Sequence, residues 1–295
     1  MFDVNSIPAA ERERITRTLL KWGISTDQET GKIDYIEGTT IPEVKCQSIH
    51  LIRHAETEAV AKHEFMSDTS DNCGFTESGI EITKKQAAAL DEYDFDIALY
   101  GPIARVVNTK KIIMERPQKF EAVRLQFLHG IDNTGWEYKS FDELVNTDTF
   151  IARELENNMF ARTPEGTSWG TVIANCSDVI DFINEYCEGK KVLLFSQGSV
   201  LRGMQILLRK RAHPWDDFTV EGMYHVGDDT NKKKNYGIID KNSVEYRNYL
   251  TMVDMVNEHY NKYGEKLNET SSRVGFSGES GGLRDSRDIK SKDLK

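Results

Sequence analysis

Ile49-His50-Leu51-Ile52-Arg53-His54-Ala55-Glu56-Thr57 is a short apolar run that ends in an Arg-His pair and a polar turn. It reads as a strand that delivers two polar side chains just past its end. An imidazole with one unprotonated ring nitrogen is a good nucleophile toward phosphorus. An adjacent guanidinium can hold a phosphoryl group by two parallel hydrogen bonds while the imidazole attacks. The pair therefore points to phosphoryl chemistry. Alone it is a common dipeptide, and the segments on either side decide what it means.

From Ser48 onward, short apolar strands alternate with helices. Strands are expected at Ser48–Ile52, Ile97–Tyr100, Val123–Leu128 and Val192–Phe195, with a last one at Tyr236–Ile239. Helices are expected at Gly79–Glu92, Ile103–Met114, Ser168–Tyr186 and Val200–Leu208, with a closing helix at Tyr246–Tyr263. This alternation predicts a three-layer α/β/α sandwich with a mostly parallel central sheet. In such sheets a ligand sits beyond the carboxyl ends of the strands. His54, Gly101 and Gln197 each follow a strand, so one pocket can gather them.

Three pieces flank or interrupt that pattern. Residues 1–47 form an N-terminal extension, with Ile15, Leu19, Leu20 and Trp22 at helical spacing over Ala9–Trp22 and a loop or short hairpin over Gly23–Lys45. The helix is expected to pack on the surface of the domain that spans residues 48–265. Residues 141–161 read as a helical insertion over the pocket, and its carboxylates (Asp142, Glu143, Asp148, Glu154, Glu156) as mostly a solvated face. Residues 266–295 are rich in Ser, Gly and mixed charge without apolar anchors, the composition of a disordered tail.

With 295 residues and 38% hydrophobic content the chain can bury a normal core. Its net charge of −10 argues against broad binding to nucleic acid or an anionic membrane. No apolar run approaches the roughly 20 residues of a membrane helix, and the first residues lack the pattern of a secretory signal. Cys46, Cys73, Cys176 and Cys187 have neither metal-ligand spacing nor a CxxC pair. A cytoplasmic location with reduced thiols, no metal and no cofactor is the expectation.

Five segments in order resemble the histidine phosphatase, or phosphoglycerate mutase-like, superfamily. Arg53-His54-Ala55-Glu56-Thr57 is similar to its opening Arg-His-Gly-Glu-Thr, and Phe75-Thr76-Glu77-Ser78-Gly79 to its Leu-Thr-x-x-Gly turn. Gly101-Pro102-Ile103-Ala104-Arg105-Val106-Val107-Asn108-Thr109 fits the frame Ser-x-Leu-x-Arg-Ala-x-x-Thr. Pro164-Glu165-Gly166-Thr167-Ser168 looks like Pro-Gly-Gly-Glu-Ser. The stretch from Val192 through Ser196-Gln197-Gly198-Ser199 to Arg202 resembles the last core strand with its Ser-His-Gly-Gly turn. The resemblance covers about Ser48 to Arg209.

What the resemblance implies is a two-step phosphoryl transfer. His54 attacks phosphorus and water then hydrolyses the phosphohistidine, while Arg53 and Arg105 bind the phosphoryl oxygens. Thr57, Gly198, Ser199 and His129 are the further candidates for binding a small phosphorylated substrate. Two departures stand out. The family's second histidine reads here as Gln197, and its proton-donating Glu reads as Gly130. Asp132 and Glu137 are the nearest carboxylates to that missing acid. A glutamine amide can donate a neutral hydrogen bond where an imidazolium donates a charge-assisted one, which is roughly twice as strong.

The leading reading is a phosphatase acting on a small phosphorylated metabolite. The alternative is a catalytically impaired phosphate- or partner-binding module on the same fold, and a phosphomutase ranks last because it depends most on the missing groups. Trp136, Trp169 and Trp215 read as core more readily than as pocket lining.

Overall fold

The computed structural model of the protein describes residues 2–67, 74–91, 93–115, 120–208 and 223–227. A 3-10 turn at Val4–Ser6 leads into α1 (Ala9–Lys21), and β1 (Ile24–Thr26) pairs antiparallel with β2 (Ile33–Tyr35). The apolar run forms β3 (Ser48–Arg53), followed by α2 (Glu58–Ala61), α3 (Glu77–Leu90), β4 (Ile97–Tyr100), α4 (Ala104–Ile113) and β5 (Glu121–Arg124). Two short helices, α5 (Phe141–Leu144) and α6 (Asp148–Phe150), run into a π-helical turn at Ile151–Leu155. Then come α7 (Trp169–Tyr186), β6 (Lys191–Ser196), α8 (Gly198–Leu207) and β7 (Met223–Gly227).

The main sheet has the order β5-β4-β6-β3-β7. Its pairings are parallel except for the last, in which β7 runs antiparallel to β3. The period of two along each central strand divides the core. Ile49, Leu51, Leu99, Val192 and Leu194 face one layer, with α1, α7 and α8. Ile52, Ala98, Leu193 and Phe195 face the other, with α3 and α4. The result is the expected α/β/α sandwich, and both faces of the sheet are covered, as a mainly parallel sheet requires.

His50 lies on the α3/α4 side, edge-on to the rings of Tyr93 and Phe95 at 4.5 and 4.9 Å between centroids. It packs rather than lines the strand ends.

Several expectations need correction. The N-terminal helix packs on the domain through Ile15, Leu19 and Trp22, which are fully buried in the same core as β3, β6 and α7. The Trp22 indole N–H donates to Ser177 Oγ on α7 at 2.9 Å, and Tyr35 Oη donates to the Ile206 carbonyl on α8 at 2.9 Å. The core thus crosses the boundary expected at residue 47. β5 ends at Arg124 instead of Leu128, because Leu128 N–H turns back onto the Leu125 carbonyl. Met223–Gly227, a stretch without a strand expectation, forms an edge strand. The insertion carries little regular helix, and Glu154 is buried in an ion pair with buried Arg153 rather than solvated.

Trp136 and Trp169 are core residues. The strand at Tyr236–Ile239, the helix at Tyr246–Tyr263, the tail and Trp215 lie outside the described residues. Among the described residues no helix is long and apolar enough to cross a membrane.

Candidate active site

Parallel pairing of β3 with β6 puts Arg53 beside Ser196, and His54 N–H continues the ladder to the Ser196 carbonyl at 2.9 Å. The Arg53-His54 turn and the Gln197-Gly198 turn therefore leave the sheet side by side. Gly101, at the end of β4, joins the same edge: its N–H donates to the Phe195 carbonyl. A Cβ at Gly101 would come within 2.5 Å of the Leu128 carbonyl, so only glycine lets the segment before Gly130 close over this edge.

His54 is buried, and its Nδ1 lies 2.8 Å from the carbonyl oxygen of Ala55. A carbonyl only accepts, so Nδ1 carries the proton and Nε2 keeps its lone pair. Burial, then the charge of Arg105, then that of Arg53 hold the imidazole well below its ordinary 6.5, against the opposing pull of the Ala55 carbonyl. The ring is thereby neutral, oriented and nucleophilic near pH 7.

The two guanidinium groups arrive from different elements. Arg105 is buried on the first turn of α4 and donates from Nη1 to the Ser67 carbonyl at 3.3 Å. Thr109, one turn further, ties α4 to the Arg53-His54 turn. Its hydroxyl accepts from Ala55 N–H and donates to the Arg105 carbonyl, both at 2.8 Å. Arg53 runs along the start of α8, where a Cβ on Gly198 would sit 3.3 Å from its Nε. That Nε is buried with no hydrogen-bond partner. Gln197 is the N-cap of α8 but makes no capping bond with its side chain. The helix N-terminus, with its partial positive charge, opens beside Arg53.

Gln197 is instead turned toward Gly130, whose backbone N–H donates to its Oε1. This fixes the amide so that Oε1 is engaged and the Nε2 hydrogens point elsewhere. A Cβ at Gly130 would collide with Gln197 Oε1 and Ser199 Oγ. Glycine at 130 and glutamine at 197 are therefore one packing solution. Ser199 Oγ accepts from Ile131 N–H at 3.0 Å, so it anchors the same segment.

The other candidates have structural engagements. Thr57 is fully buried and caps α2 by accepting from Val60 N–H at 3.3 Å, while its hydroxyl donates to Met66 Sδ at 3.2 Å. His129 is half-buried beside Gly130, with its backbone N–H donated to the Phe127 carbonyl. Asp132 accepts from the Thr134 hydroxyl and N–H and so closes a turn. Glu137 accepts from Gly135 N–H at 2.6 Å. Desolvation tends to raise its pKa, but backbone hydrogen bonds and the Ser67 hydroxyl outweigh it and hold the carboxyl below the usual range. Glu137 is therefore ionised near pH 7 and has no proton to supply.

Sequence reasoning missed the role of Glu56, the third residue past Arg53. Its buried carboxylate accepts from Thr76 Oγ1 at 2.6 Å and from Ser78 Oγ at 3.1 Å. Thr76 also caps α3 by accepting from Gly79 N–H at 2.9 Å. A Cβ on Gly79 would lie 2.6 Å from the Glu56 carbonyl oxygen. The signal was the spacing of the Thr-x-Ser-Gly turn, which docks α3 onto the turn that carries His54. Among the described residues no group of three or more His, Cys, Asp or Glu side chains is arranged to hold a metal ion.

The model of the histidine phosphatase superfamily (branch 1) matches residues 49–222, more than half of the chain. Similar solved structures include a mycobacterial hydrolase (Mycobacterial hydrolase 1), with a TM-score of 0.50, 14% identity, and coverage of 57% of this chain and 83% of that one. YhfR of Bacillus stearothermophilus has a TM-score of 0.49 at 19% identity, over 55% and 79% of the two chains. A mutant phosphoserine phosphatase from Entamoeba histolytica, in complex with phosphoserine, has a TM-score of 0.48 at 21% identity, over 57% and 81%. At these identities the likeness concerns the fold alone. No curated protein matches the chain.

Proposed function

The chain belongs to the histidine phosphatase superfamily (branch 1), and we propose that it is a phosphatase that hydrolyses a small phosphorylated metabolite through a phosphohistidine at His54. The observation that carries this reading is the state of His54. The ring is buried within the field of the Arg105 and Arg53 charges, with Nδ1–H committed to Ala55 and Nε2 left to attack.

In the first step Nε2 forms a bond to phosphorus as the ester P–O bond breaks, and the leaving oxygen takes a proton from water or an acid. In the second, water attacks phosphorus, the P–N bond breaks, and inorganic phosphate and free His54 result. Arg53 and Arg105 bind the non-bridging oxygens. The unpartnered Nε of Arg53 and the first turn of α8 add donors already oriented before substrate arrives. No step needs a metal or cofactor.

Gln197 stands, by the order of the motifs, where the family has its second histidine. With Oε1 held by Gly130 N–H, its Nε2 group can still offer a neutral donor to the phosphoryl oxygens. Losing a charge-assisted donor at such a site costs on the order of 10²–10³ in rate. Neither Asp132 nor Glu137 is set up as an acid, so esters with leaving groups of low pKa are the expected substrates.

One observation favours a second reading, a binding module. The pairing of Gly130 with Gln197 is a finished packing arrangement that leaves no room for a carboxylic acid on residue 130. The test is phosphate release from a panel that includes phosphoserine and p-nitrophenyl phosphate, with His54→Ala as control. Release lost in the variant supports the phosphatase. No release from any ester, with phosphate still raising the melting temperature of the wild type, supports the binding module.

A further inference from the structure

Arg153 and Glu154, adjacent in sequence and both buried, join Nε to Oε1 at 2.6 Å within the insertion. The Arg153 guanidinium lies over the Trp136 ring at 4.3 Å. Burying such a pair often brings no net stability over apolar residues of the same size. What it does bring is direction. Arg153 Nη2 donates to Asn133 Oδ1 at 2.8 Å, so the Asn133 amide must turn its Nδ2 hydrogens the other way. Nδ2 then donates to the Met66 carbonyl at 2.8 Å.

Met66 belongs to a strap, Glu64–Ser67, that touches the active site on its far side. The carbonyl of Ser67 accepts from Arg105 Nη1, and Met66 Sδ accepts from the Thr57 hydroxyl. On its near side the strap pairs with the entry of the insertion. Phe65 N–H donates to the Lys139 carbonyl at 3.0 Å, Tyr138 N–H donates to the Phe65 carbonyl at 2.9 Å, and Glu64 bridges to Ser140. The Phe65 ring packs edge-on against Trp136 and Phe150.

We infer that Asn133, oriented by Arg153, is a positioning residue that aims Arg105 at the phosphoryl group through the Glu64–Ser67 strap. The insertion and the guanidinium that binds substrate are thereby one mechanical unit. Ser67, at the end of this run of hydrogen bonds, accepts from Arg105, and a strap that shifts moves that acceptor. The inference rests on the phosphatase reading for what Arg105 binds, and on hydrogen bonding alone for how Arg105 is held.

The test is Asn133→Asp in the full chain. The carboxylate still accepts from Arg153 but no longer donates to Met66. Hydrogen exchange over Glu64–Ser67 is expected to quicken. The affinity for inorganic phosphate, and kcat/KM for p-nitrophenyl phosphate, are expected to fall roughly 10- to 100-fold, as misplacement of a positioning group does. Arg153→Lys keeps a charge against Glu154 but loses the fork that orients Asn133. It should shift all three readouts the same way, and it serves if Asn133→Asp does not fold. Unchanged exchange overturns the inference, and so does faster exchange with phosphate affinity and kcat/KM intact. A wild type that neither binds phosphate nor releases it from any ester removes the phosphatase reading itself, and the role of Arg105 with it.

Discussion

Nδ1 of His54 is bonded to the carbonyl of its own neighbour, Ala55, at 2.8 Å, and Ala55 N–H is in turn held by Thr109 at 2.8 Å. The tautomer of the His54 imidazole is thus set by the backbone of its own turn, and that turn is set by α4, the helix that carries Arg105. One consequence concerns pH. An unfolded imidazole takes up a proton near pH 6.5, whereas the folded ring resists until well below that. Between the two the unfolded state binds more protons, so stability present above pH 6.5 is lost as pH falls toward the folded value. Urea unfolding at about pH 7.5 and about pH 5.5 should show a larger loss in the wild type than in His54→Gln. Equal losses would mean that the ring is not held neutral. The acid limb of phosphate release governed by His54 should likewise fall well below pH 6.5.

The second prediction concerns Gln197. Gln197→His should raise phosphate release by on the order of tenfold or more, because an imidazolium replaces a neutral donor with a charge-assisted one. An imidazolium has no ring nitrogen that can accept, so the gain comes with the loss of the acceptor that Gln197 Oε1 gives to Gly130 N–H. A variant that folds, binds phosphate and remains as slow as the wild type would favour the binding module.

Gly130→Ala tests the same pair from the other side. Its methyl group would collide with Gln197 Oε1 and Ser199 Oγ, and such overpacking costs about 1–3 kcal/mol. In a Gln197→Ala background the cost should shrink, since one of the two colliding groups is gone. Additive costs in a double-mutant cycle would show that the two residues do not share the space.

The sheet was legible because its central strands are near-continuous apolar runs, Val192–Phe195 and, interrupted only by His50, Ile49–Ile52 among them, as burial on both faces demands. His54 and Gln197 were legible as candidates because they follow strand ends, Arg53 because it pairs with His54, and Arg105 through the motif that resembles the family's. Three kinds of feature were not. β7 (Met223–Gly227) mixes polar and apolar residues at a sheet edge, where the burial signal is weak. The apolar face of α1 revealed a buried stripe but not which surface covers it. Charges in the insertion read as solvated because sequence shows no partner at a distance, and Arg153 finds Asn133 only in the folded chain. The hydroxyls of Thr57 and Ser199 were open to a substrate role until their caps and anchors were visible.

Thr76→Val should destabilise the protein by about 1–3 kcal/mol. It removes both the cap on Gly79 N–H and a donor to the buried carboxylate of Glu56. The carboxylate keeps Ser78 as a donor, so Thr76→Ser, which retains the hydroxyl, should recover most of the loss. Chemical denaturation of the three proteins decides this, and a Thr76→Ser variant as weak as Thr76→Val would shift the explanation from hydrogen bonding to packing.

The core shared across residue 47 makes the last prediction. Trp22 is fully buried and donates to Ser177 on α7, while Ile15 and Leu19 pack into the same cluster as β3 and β6. Trp22→Ala should cost about 3–5 kcal/mol, as emptying a large aromatic site does. Trp22→Phe, which keeps a ring but loses the Ser177 bond, should cost less. Because the cluster is continuous, the wild type should lose α1 and the sheet together, with tryptophan fluorescence and far-ultraviolet circular dichroism following one transition. An early separate transition reported by Trp22, with the sheet intact, would mean that the N-terminal segment docks on a domain already complete. The loss from Trp22→Ala would then leave the main transition where it was.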